Sequence, residues 1–434
     1  MRTFVAASAV FAASLLVGCA DNAHLPVTAG IGATPALPTT TESPFPTIAV
    51  APAEGWAADE APTPAAGLRV TAFARGLDHP RWLHVLPNGD VLVAESNAQP
   101  SRPKSIRDVV MKLTQGIAGA EVPSPDRILL LRDLDGDGVA ETRSVFLSEL
   151  TSPFGMALVG RDLYVADTDA LLRFPYRVGQ TQIAQQGAKV AALPAGEINH
   201  HWTKGLVARP DGQSLFVSVG SNSDHGENGI EAEAGRAAIW EIDRSTGIAR
   251  VFAAGLRNPV GLDFEPHTGM LWTVVNERDE LGGDLVPDYL TSVKAGGFYG
   301  WPYSYYGDHI DPRVDPQRPD LVARSRVPDY ALGPHGAPLG LTFADGAKLG
   351  PRFTDGAFIG QHGSWNRKPQ YGYRVIFVPF HDGRPSGPPV EVLTDFLDDA
   401  GNAKGRPVGV AIDTRGGLLV ADDVGNAVWR VSAR

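Results

Sequence analysis

The segment Arg406-Pro-Val-Gly409, followed by Arg415-Gly-Gly-Leu-Leu-Val-Ala-Asp422, carries the pattern that decides the fold. A short apolar run leads into a tight turn, and a second apolar run then ends near an acid or an amide. This pattern is typical of an antiparallel β-hairpin. It occurs six times along the chain, and the other five copies begin at His79, Ser152, His201, Arg257 and Pro338.

The copies lie roughly 50–80 residues apart, which leaves room for two further strands in each unit. The runs at 238–243, 373–378 and 427–431 have the β-branched and aromatic content of such outer strands. Six four-stranded sheets arranged radially form a β-propeller. We therefore predict an all-β, six-bladed β-propeller over residues 67–434. A β-sandwich or a β-helix is the alternative, but neither predicts six long repeats.

The composition agrees with this fold and excludes several classes of protein. The 434 residues include 49 Gly and 35 Pro, a load that suits short strands joined by turns and argues against a helix bundle. The net charge of −11 argues against a nucleic-acid binder. The single cysteine excludes an internal disulfide framework and multi-cysteine metal sites, and the sequence has no CxxCH motif for covalently bound haem.

The N-terminus predicts export and a lipid anchor. A basic start and an apolar run lead to Leu16-Val-Gly-Cys19, which resembles the bacterial lipobox. Residues 1–19 are thus predicted to be a lipoprotein signal peptide, with Cys19 lipidated; an ordinary signal peptide is the alternative. Ala20 favours the outer membrane, facing the periplasm. Residues 20–66, rich in Pro, Thr and Ala, are predicted to be a flexible tether.

Propeller geometry predicts where a functional site lies. The first strand of each blade begins at the same end of the channel where the second strand finishes, so the flanking residues converge there. This ring is rich in Arg, His and amides, which predicts an anionic ligand with several carboxylates. The alternative is that each Arg pairs with an Asp of the neighbouring blade. Members of the ring include Arg81, Lys204, Arg257, Arg406 and Asp423.

Several long motifs on this ring resemble those of one enzyme group. They are His201-Trp-Thr-Lys204, Gly255-Leu-Arg-Asn-Pro-Val-Gly-Leu262, residues 276–289, Gly296-Gly-Phe-Tyr-Gly-Trp-Pro302, His362-Gly-Ser-Trp-Asn-Arg367 and Gly405-Arg-Pro-Val-Gly409. Together they resemble the sorbosone dehydrogenase group of the soluble quinoprotein sugar dehydrogenases. That resemblance spans about residues 67–432, all six blades. It implies two cofactors, pyrroloquinoline quinone (PQQ) and Ca²⁺.

The resemblance also implies residue roles. His201 matches the catalytic base, Arg257 and Asn258 match residues at the quinone, and the backbone carbonyls of Arg278, Asp279 and Glu280 match those that hold the cofactor's Ca²⁺. The Glu277-Arg-Asp-Glu280 sequence departs from the glucose dehydrogenase branch, which puts the metal geometry in doubt. Other candidates for cofactor binding are Arg81, Lys204, Trp365, Asn366, Arg367, Lys368 and Arg406, with Asp423 as a partner for the cations.

The implied reaction is oxidation of a sugar, either the anomeric hydroxyl of an aldose or a sorbosone-like aldehyde hydrate. His201 would take the proton and a hydride would pass to PQQ, while Ca²⁺ and Arg257 polarise the quinone carbonyl. The electrons would then pass to a periplasmic or membrane acceptor. The alternatives are a calcium-dependent lactonase on a six-bladed propeller, which would not need the Arg ring, and a surface lipoprotein that only binds partners.

A second metal site is predicted at Asp133-Leu-Asp-Gly-Asp-Gly-Val-Ala-Glu141. Carboxylates at alternate positions followed by Gly provide oxygen ligands for a hard cation, so Asp133, Asp135, Asp137 and Glu141 are candidate ligands of a structural Ca²⁺. An Asp-Gly turn without metal is the alternative. The insertions at 98–125 and 303–334 are expected to form the walls of the substrate pocket.

Overall fold

A computed structural model of the chain describes residues 22–41, 47–101 and 106–434. The fold is a six-bladed β-propeller, as the repeats predict. Each of the six repeated units forms the two inner strands of one blade, and the three predicted outer runs are third strands.

The first three blades each contain four antiparallel strands, ordered from the channel outward. Blade 1 contains β4 (Pro80–Val85), β5 (Val91–Glu95), β6 (Arg127–Arg132) and β7 (Thr142–Leu147). Blade 2 contains β8 (Met156–Val159), β9 (Asp162–Ala166), β10 (Ala170–Pro175) and β11 (Ala188–Ala192). Blade 3 contains β12 (Leu206–Ala208), β13 (Ser214–Val219), β14 (Ala238–Asp243) and β15 (Ala249–Ala254).

The other three blades each recruit a strand from the N-terminal part of the chain. Blade 4 contains β16 (Asn258–Phe264), β17 (Leu271–Asn276), β18 (Pro287–Ser292), β21 (Tyr330–Pro334) and β1 (Ile31–Gly32). Blade 5 contains β22 (Pro338–Phe343), β23 (Gly356–Gln361), β24 (Arg374–His381), β26 (Val390–Thr394) and β2 (Thr63–Pro64). Blade 6 contains β27 (Pro407–Ile412), β28 (Leu418–Asp422), β29 (Ala427–Ala433) and β3 (Leu68–Arg75).

Little regular structure lies outside the blades. The short strands β19 (Ser304–Tyr305) and β20 (His309–Ile310) pair with each other, and β25 (Arg384–Pro385) pairs with β24. The α-helices are α1 (Ile106–Ile117), within the insertion of blade 1, and α2 (Pro319–Val322). Within the described part of the chain, no helix is both long and apolar enough to cross a membrane.

Glycine contacts between neighbouring blades set the width of the channel. A Cβ atom on Gly205 would lie 2.1 Å from the Val260 carbonyl oxygen of blade 4, and one on Gly340 would lie 2.2 Å from the Val408 oxygen of blade 6. Gly155, Gly261 and Gly409 make the corresponding backbone approaches at 2.3–2.9 Å. Between blades 1 and 2 the contact is aromatic instead, with Trp82 and Phe154 ring centres 4.6 Å apart. The repeated glycine therefore lets the innermost strands touch backbone to backbone.

The ring closes because β3, from the N-terminal side of the propeller, completes the last blade. It pairs with β29 in a register that runs from Leu68 opposite Ala433 to Arg75 opposite Ala427. A strand exchanged in this way ties the two ends of the propeller together with main-chain hydrogen bonds.

The described part of the 20–66 segment differs from the predicted flexible tether. It packs on the propeller: β1 and β2 extend blades 4 and 5, and Ala51 is fully buried. Trp56 stacks edge-to-face on Phe396 and Trp429 at 5.5 Å, and its Nε1 donates to Asp422 at 2.7 Å. A composition rich in Pro and Ala did not reveal this docked aromatic residue. Cys19 and the signal peptide lie outside the described residues, so the lipid anchor stays a prediction.

The inter-blade contacts predict a selective effect of a single methyl group. Gly340→Ala should lower the free energy of unfolding by about 2 kcal/mol or more, because its Cβ would overlap the backbone of blade 6. Gly116→Ala, on the exposed side of α1 with no atom near the added Cβ, should instead raise stability by up to about 1 kcal/mol. Urea unfolding of both variants checks this; equal effects would contradict the role given to the glycine contacts.

Candidate active site

The candidate site lies at the end of the channel where first strands begin and second strands end, as predicted. His201 precedes β12, Arg257 precedes β16, and Asp423 follows β28. Side chains from different blades thus meet because each hairpin delivers its two ends to the same face.

The His201 ring has a defined tautomer. Its Nδ1 lies 2.9 Å from the Ser221 carbonyl oxygen, which can only accept, so Nδ1 carries the proton and Nε2 keeps its lone pair. Burial, together with the nearby His200 and Arg257, lowers the pKa of His201 well below its ordinary value. The Nε2 atom is therefore a neutral proton acceptor over the physiological pH range.

Two residues that the sequence reasoning missed hold His201 in place. Arg236 Nη2 donates to the His201 carbonyl oxygen at 2.8 Å. A Cβ on Gly220 would lie 2.5 Å from His201 Cβ and 2.3 Å from Asn258 Oδ1, so only glycine allows these two side chains to lie side by side. The predicted base and the predicted quinone contact are thus neighbours.

Arg257 is buried and held from several sides. Its Nη2 donates to Asp224 Oδ1 at 2.8 Å and to Asp279 Oδ2 at 3.1 Å, and its Nη1 donates to the Glu277 carbonyl oxygen at 2.6 Å. Although burial acts to lower it, these carboxylates raise the pKa of Arg257. The sequence reasoning missed Asp224, although it lies only a few residues beyond the end of β13.

A second charged cluster joins blades 1, 5 and 6. Asp423 accepts from Arg81 Nη1, and its Oδ2 lies 2.9 Å from His362 Nε2 and 3.8 Å from His79 Nε2. Burial acts to raise the pKa of Asp423, but His362 and Arg81 hold it well below its usual value. Arg81 therefore follows the alternative prediction of pairing with the acid of a neighbouring blade.

Two other cations of the ring have no such partner. Lys204 is fully buried, its Nζ donates to the Trp202 carbonyl oxygen at 3.0 Å, and burial lowers the pKa of its amine well below the ordinary value. The guanidinium of Arg406, a residue that is 5% exposed, donates to the Ala51 carbonyl and the Tyr373 hydroxyl, and its Nε lacks a hydrogen-bond partner. Among the described residues, no carboxylate lies within 4.0 Å of either cationic group. These two cations are available to an anionic ligand.

The Trp365–Lys368 element reaches the site only in part. Asn366 Nδ2 donates to Asp279 Oδ1 at 2.7 Å, which links blade 5 to the Arg257 network. Arg367 is buried beside Asp284, at 3.6 Å. Trp365 is half-buried, and its carbonyl oxygen accepts from Ala49. Lys368 is exposed, and its part in cofactor binding stays a prediction.

The loop predicted to hold calcium is already occupied by donors. Arg278 is buried, and its guanidinium binds Glu277, Asp311 and the carbonyl oxygens of residues 302 and 304. The Asp279 carbonyl oxygen accepts from Arg313 Nη1 at 3.0 Å. Arg313 belongs to the 303–334 insertion, which thereby contacts the candidate site.

The second predicted metal site lies at the opposite end of blade 1, in the hairpin between β6 and β7. Ligand atoms of Asp133, Asp135, Asp137 and Glu141 lie within 4.8 Å of one another. Asp133 Oδ2 also accepts from Arg415 Nη1 at 2.7 Å. A structural Ca²⁺ there stays a prediction.

Comparison with known proteins identifies the family. The TrAA12-like family model matches residues 127–288 and 318–434, more than half of the chain. The chain belongs to the TrAA12-like family. The similarity to PQQ-dependent sugar dehydrogenases that the blade motifs predict is confirmed by the relatives named below.

Individual relatives of this TrAA12-like protein are distant. An uncharacterized protein of Borreliella burgdorferi is 28% identical over 244 residues, covering 56% of this chain and 63% of the relative. A pyrroloquinoline quinone-dependent pyranose dehydrogenase of Coprinopsis cinerea is 23% identical over 426 residues, covering 84% of this chain and 53% of the relative. The chain thus spans about half to two thirds of the length of these curated relatives.

The propeller itself is shared with solved structures. The holo form of the pyranose dehydrogenase PQQ domain from Coprinopsis cinerea has a TM-score of 0.68 and 20% identity, covering 88% of this chain and 100% of that domain. At this identity the likeness shows the fold alone.

The Asp423 cluster predicts a large and specific loss of stability. Asp423→Asn should lower the free energy of unfolding by about 3 kcal/mol at pH 7, because it leaves Arg81 buried without its partner. Asp320→Asn removes an exposed pair with Arg318 and should unfold at nearly the same urea concentration as wild type.

The pH dependence supplies the control. A carboxyl whose folded pKa is depressed stabilises the fold above its unfolded pKa of about 3.9, and this stabilisation is lost as the pH falls. The difference between wild type and Asp423→Asn in urea unfolding should therefore shrink below about pH 4. A difference that does not depend on pH would contradict the assignment of a charged Asp423.

Proposed function

We propose that this protein oxidises a sugar with PQQ as the hydride acceptor, using His201 as the base. The substrate is an aldose at its anomeric hydroxyl or a sorbosone-like aldehyde hydrate. The proposal is carried by His201, whose Nδ1 is bound to Ser221 and whose Nε2 is left to accept a proton, beside Asn258 and Arg257. At the same end of the channel, Lys204 and Arg406 lie buried with no acid partner among the described residues.

The chemistry of this ring fits PQQ, a planar tricarboxylate. Arg406 supplies positive charge that no acid among the described residues neutralises. Burial lowers the pKa of the Lys204 amine, and an anion beside it would restore the charged form. Arg406 Nε is a buried donor without a hydrogen-bond partner and suits a carboxylate oxygen. Asn258 Oδ1 and Asn366 Oδ1 are buried acceptors without partners, so they suit an N–H or O–H group of a ligand. Lys204 and Arg406 would hold the carboxylates, and Arg257 and Asn258 would lie at the quinone.

The chain's own residues set up the reaction. The bound quinone would supply the site that accepts the hydride. His201 Nε2 takes the proton of the substrate hydroxyl, and the Ser221 carbonyl fixes the ring in the tautomer that permits this. Arg236 holds the His201 backbone, and Asp224 and Asp279 orient Arg257. The preorganised guanidinium stabilises negative charge that develops near it.

The Ca²⁺ that the resemblance implies does not fit the loop in the implied form. One of the three predicted carbonyl ligands, that of Asp279, accepts a guanidinium N–H from Arg313. A calcium ion on the same oxygen would lie next to this positive charge, and the ion needs six to eight oxygen ligands. We therefore assign it no step.

The structure does not favour the lactonase alternative. A metal held by acids or histidines in the channel would need at least three such side chains to converge. Among the described residues, the groups of three or more that could share an ion are Asp133, Asp135, Asp137 and Glu141, and the set Glu265, His267 and Asp355. Both lie in hairpins at the end of the propeller away from His201.

We also propose that the protein is held at the cell envelope through a lipid on Cys19 and passes its electrons to a periplasmic or membrane carrier. The Ala23 N–H donates to the Lys368 carbonyl oxygen, on a loop at the site end of the propeller. A lipid four residues earlier would hold this end near the membrane surface.

His201→Gln tests the proposal directly. After reconstitution with PQQ, dye-coupled oxidation of aldoses or sorbosone should fall about 10³-fold in kcat, while PQQ affinity stays close to that of wild type. His381→Gln, at an exposed surface position, should match wild type. Because burial lowers the pKa of His201, the acid limb of the wild-type kcat/KM profile should lie below pH 6.5, where an ordinary imidazole is already protonated.

Two results would contradict these assignments. Wild-type protein that shows no quinone spectral change and no dye reduction with PQQ would contradict the proposed function. Full activity in His201→Gln would contradict only the role of the base.

A further inference from the structure

At the loop 276–282, several carbonyl oxygens and the nearby carboxylates already accept hydrogen bonds from N–H donors. We infer that the guanidinium groups of Arg257 and Arg313 take the place of a divalent cation at the cofactor, so that PQQ binds without calcium. This inference rests on the proposed function and deepens it, since it names the charges that the chain itself supplies.

The carbonyl groups of the loop are the first observation. The oxygens of Asn276 and Glu277 accept from Arg257 Nη1 at 3.4 and 2.6 Å, and that of Asp279 accepts from Arg313 Nη1 at 3.0 Å. The Leu281 oxygen accepts from the Thr41 N–H, and the Gly282 oxygen from His335 Nε2 at 3.1 Å. Five of the seven carbonyl oxygens in the loop are therefore already hydrogen-bonded.

The carboxylates around the loop are also committed. Asp224 Oδ1 accepts from Arg257 Nη2 at 2.8 Å, and its Oδ2 lies 3.6 Å from Arg313 Nη1. Asp311 binds Arg313 through two hydrogen bonds of 2.9 and 2.7 Å and binds Arg278 at 3.0 Å. Asp224 and Asp311 thus both face guanidinium groups, and among the described residues no three acids of this loop region lie close enough together to share a metal ion.

The guanidinium groups of Arg257 and Arg313 carry positive charge that would take the place of the charge of a calcium ion. Both are charged at every relevant pH, and a guanidinium N–H that is not already donated within the protein would bind a carboxylate or quinone oxygen directly. The Arg313 side chain is 16% exposed, so it lies at the boundary between the buried network and the open end of the site. The insertion that supplies it is thus part of the cofactor site and not only a wall for the sugar.

PQQ titration of the full chain tests this inference. Binding is followed by the absorption and fluorescence of PQQ, once in excess EGTA and once in excess CaCl₂, without substrate. Wild type should bind with the same affinity, within about twofold, in both buffers. Arg313→Ala should bind about tenfold more weakly in EGTA and regain affinity with CaCl₂, because it frees the Asp279 carbonyl and the acids.

Two matched variants complete the design. Arg318→Ala removes an exposed arginine of the same insertion and should behave as wild type in both buffers. Arg313→Lys keeps the charge and replaces Arg313→Ala in the test if the alanine variant fails to fold. It should bind PQQ without calcium but more weakly than wild type.

The outcomes separate the two proposals. Wild-type binding that requires CaCl₂ overturns this inference and leaves the proposed function standing. Arg313→Ala with wild-type affinity in EGTA also overturns it. PQQ binding in neither buffer overturns the proposed function and this inference together.

Discussion

The close approach of neighbouring innermost strands is the constraint on which the rest of the structure depends. At five of the six blade junctions a glycine lies where any Cβ would fall 2.1–2.9 Å from the next blade's backbone. At the sixth junction, between blades 1 and 2, the rings of Trp82 and Phe154 pack against each other instead. The innermost strands therefore form a narrow ring. Lys204 and Val260, which precede two of these glycines, and Arg81, whose carbonyl faces Gly409, lie around this ring.

Charge is distributed unevenly over the molecule. The chain is acidic overall, yet the end of its channel concentrates guanidinium and imidazole groups. The structure neutralises some of them with buried acids, as in the pairs Arg81–Asp423 and Arg257–Asp224. It leaves Lys204 and Arg406 without such partners. Burying a cation is unfavourable unless an anion or several hydrogen bonds compensate it, so these two residues are best explained by a ligand that carries negative charge.

The fold and the position of the site could be predicted from the sequence. The repeated hairpin pattern predicts all six blades, and because hairpin ends converge, it also predicts that His201, Arg257 and Asp423 lie at one end of the channel. The sequence could not show how individual side chains point. Lys368 turns to solvent although Asn366, two residues earlier, joins the site. These outcomes depend on loop paths, which local sequence patterns do not determine.

Long-range contacts account for what was missed. Arg236, Asp224 and Arg313 come from loops and insertions, and they reach His201 and Arg257 only because separate blades pack together. The docking of Trp56 on blade 6 depends equally on a partner, Trp429, that is far away in sequence. A segment's composition predicts whether it could pack by itself, not whether a distant surface is built to receive it.

The most direct measurement is a crystal structure of the chain grown with PQQ in the absence of added metal. It should show the cofactor at the end of the channel, with carboxylates on Lys204 and Arg406 and the quinone next to His201 and Arg257. Ordered PQQ at any other place on the propeller, or a channel end that stays free of PQQ at saturating cofactor, would contradict this assignment.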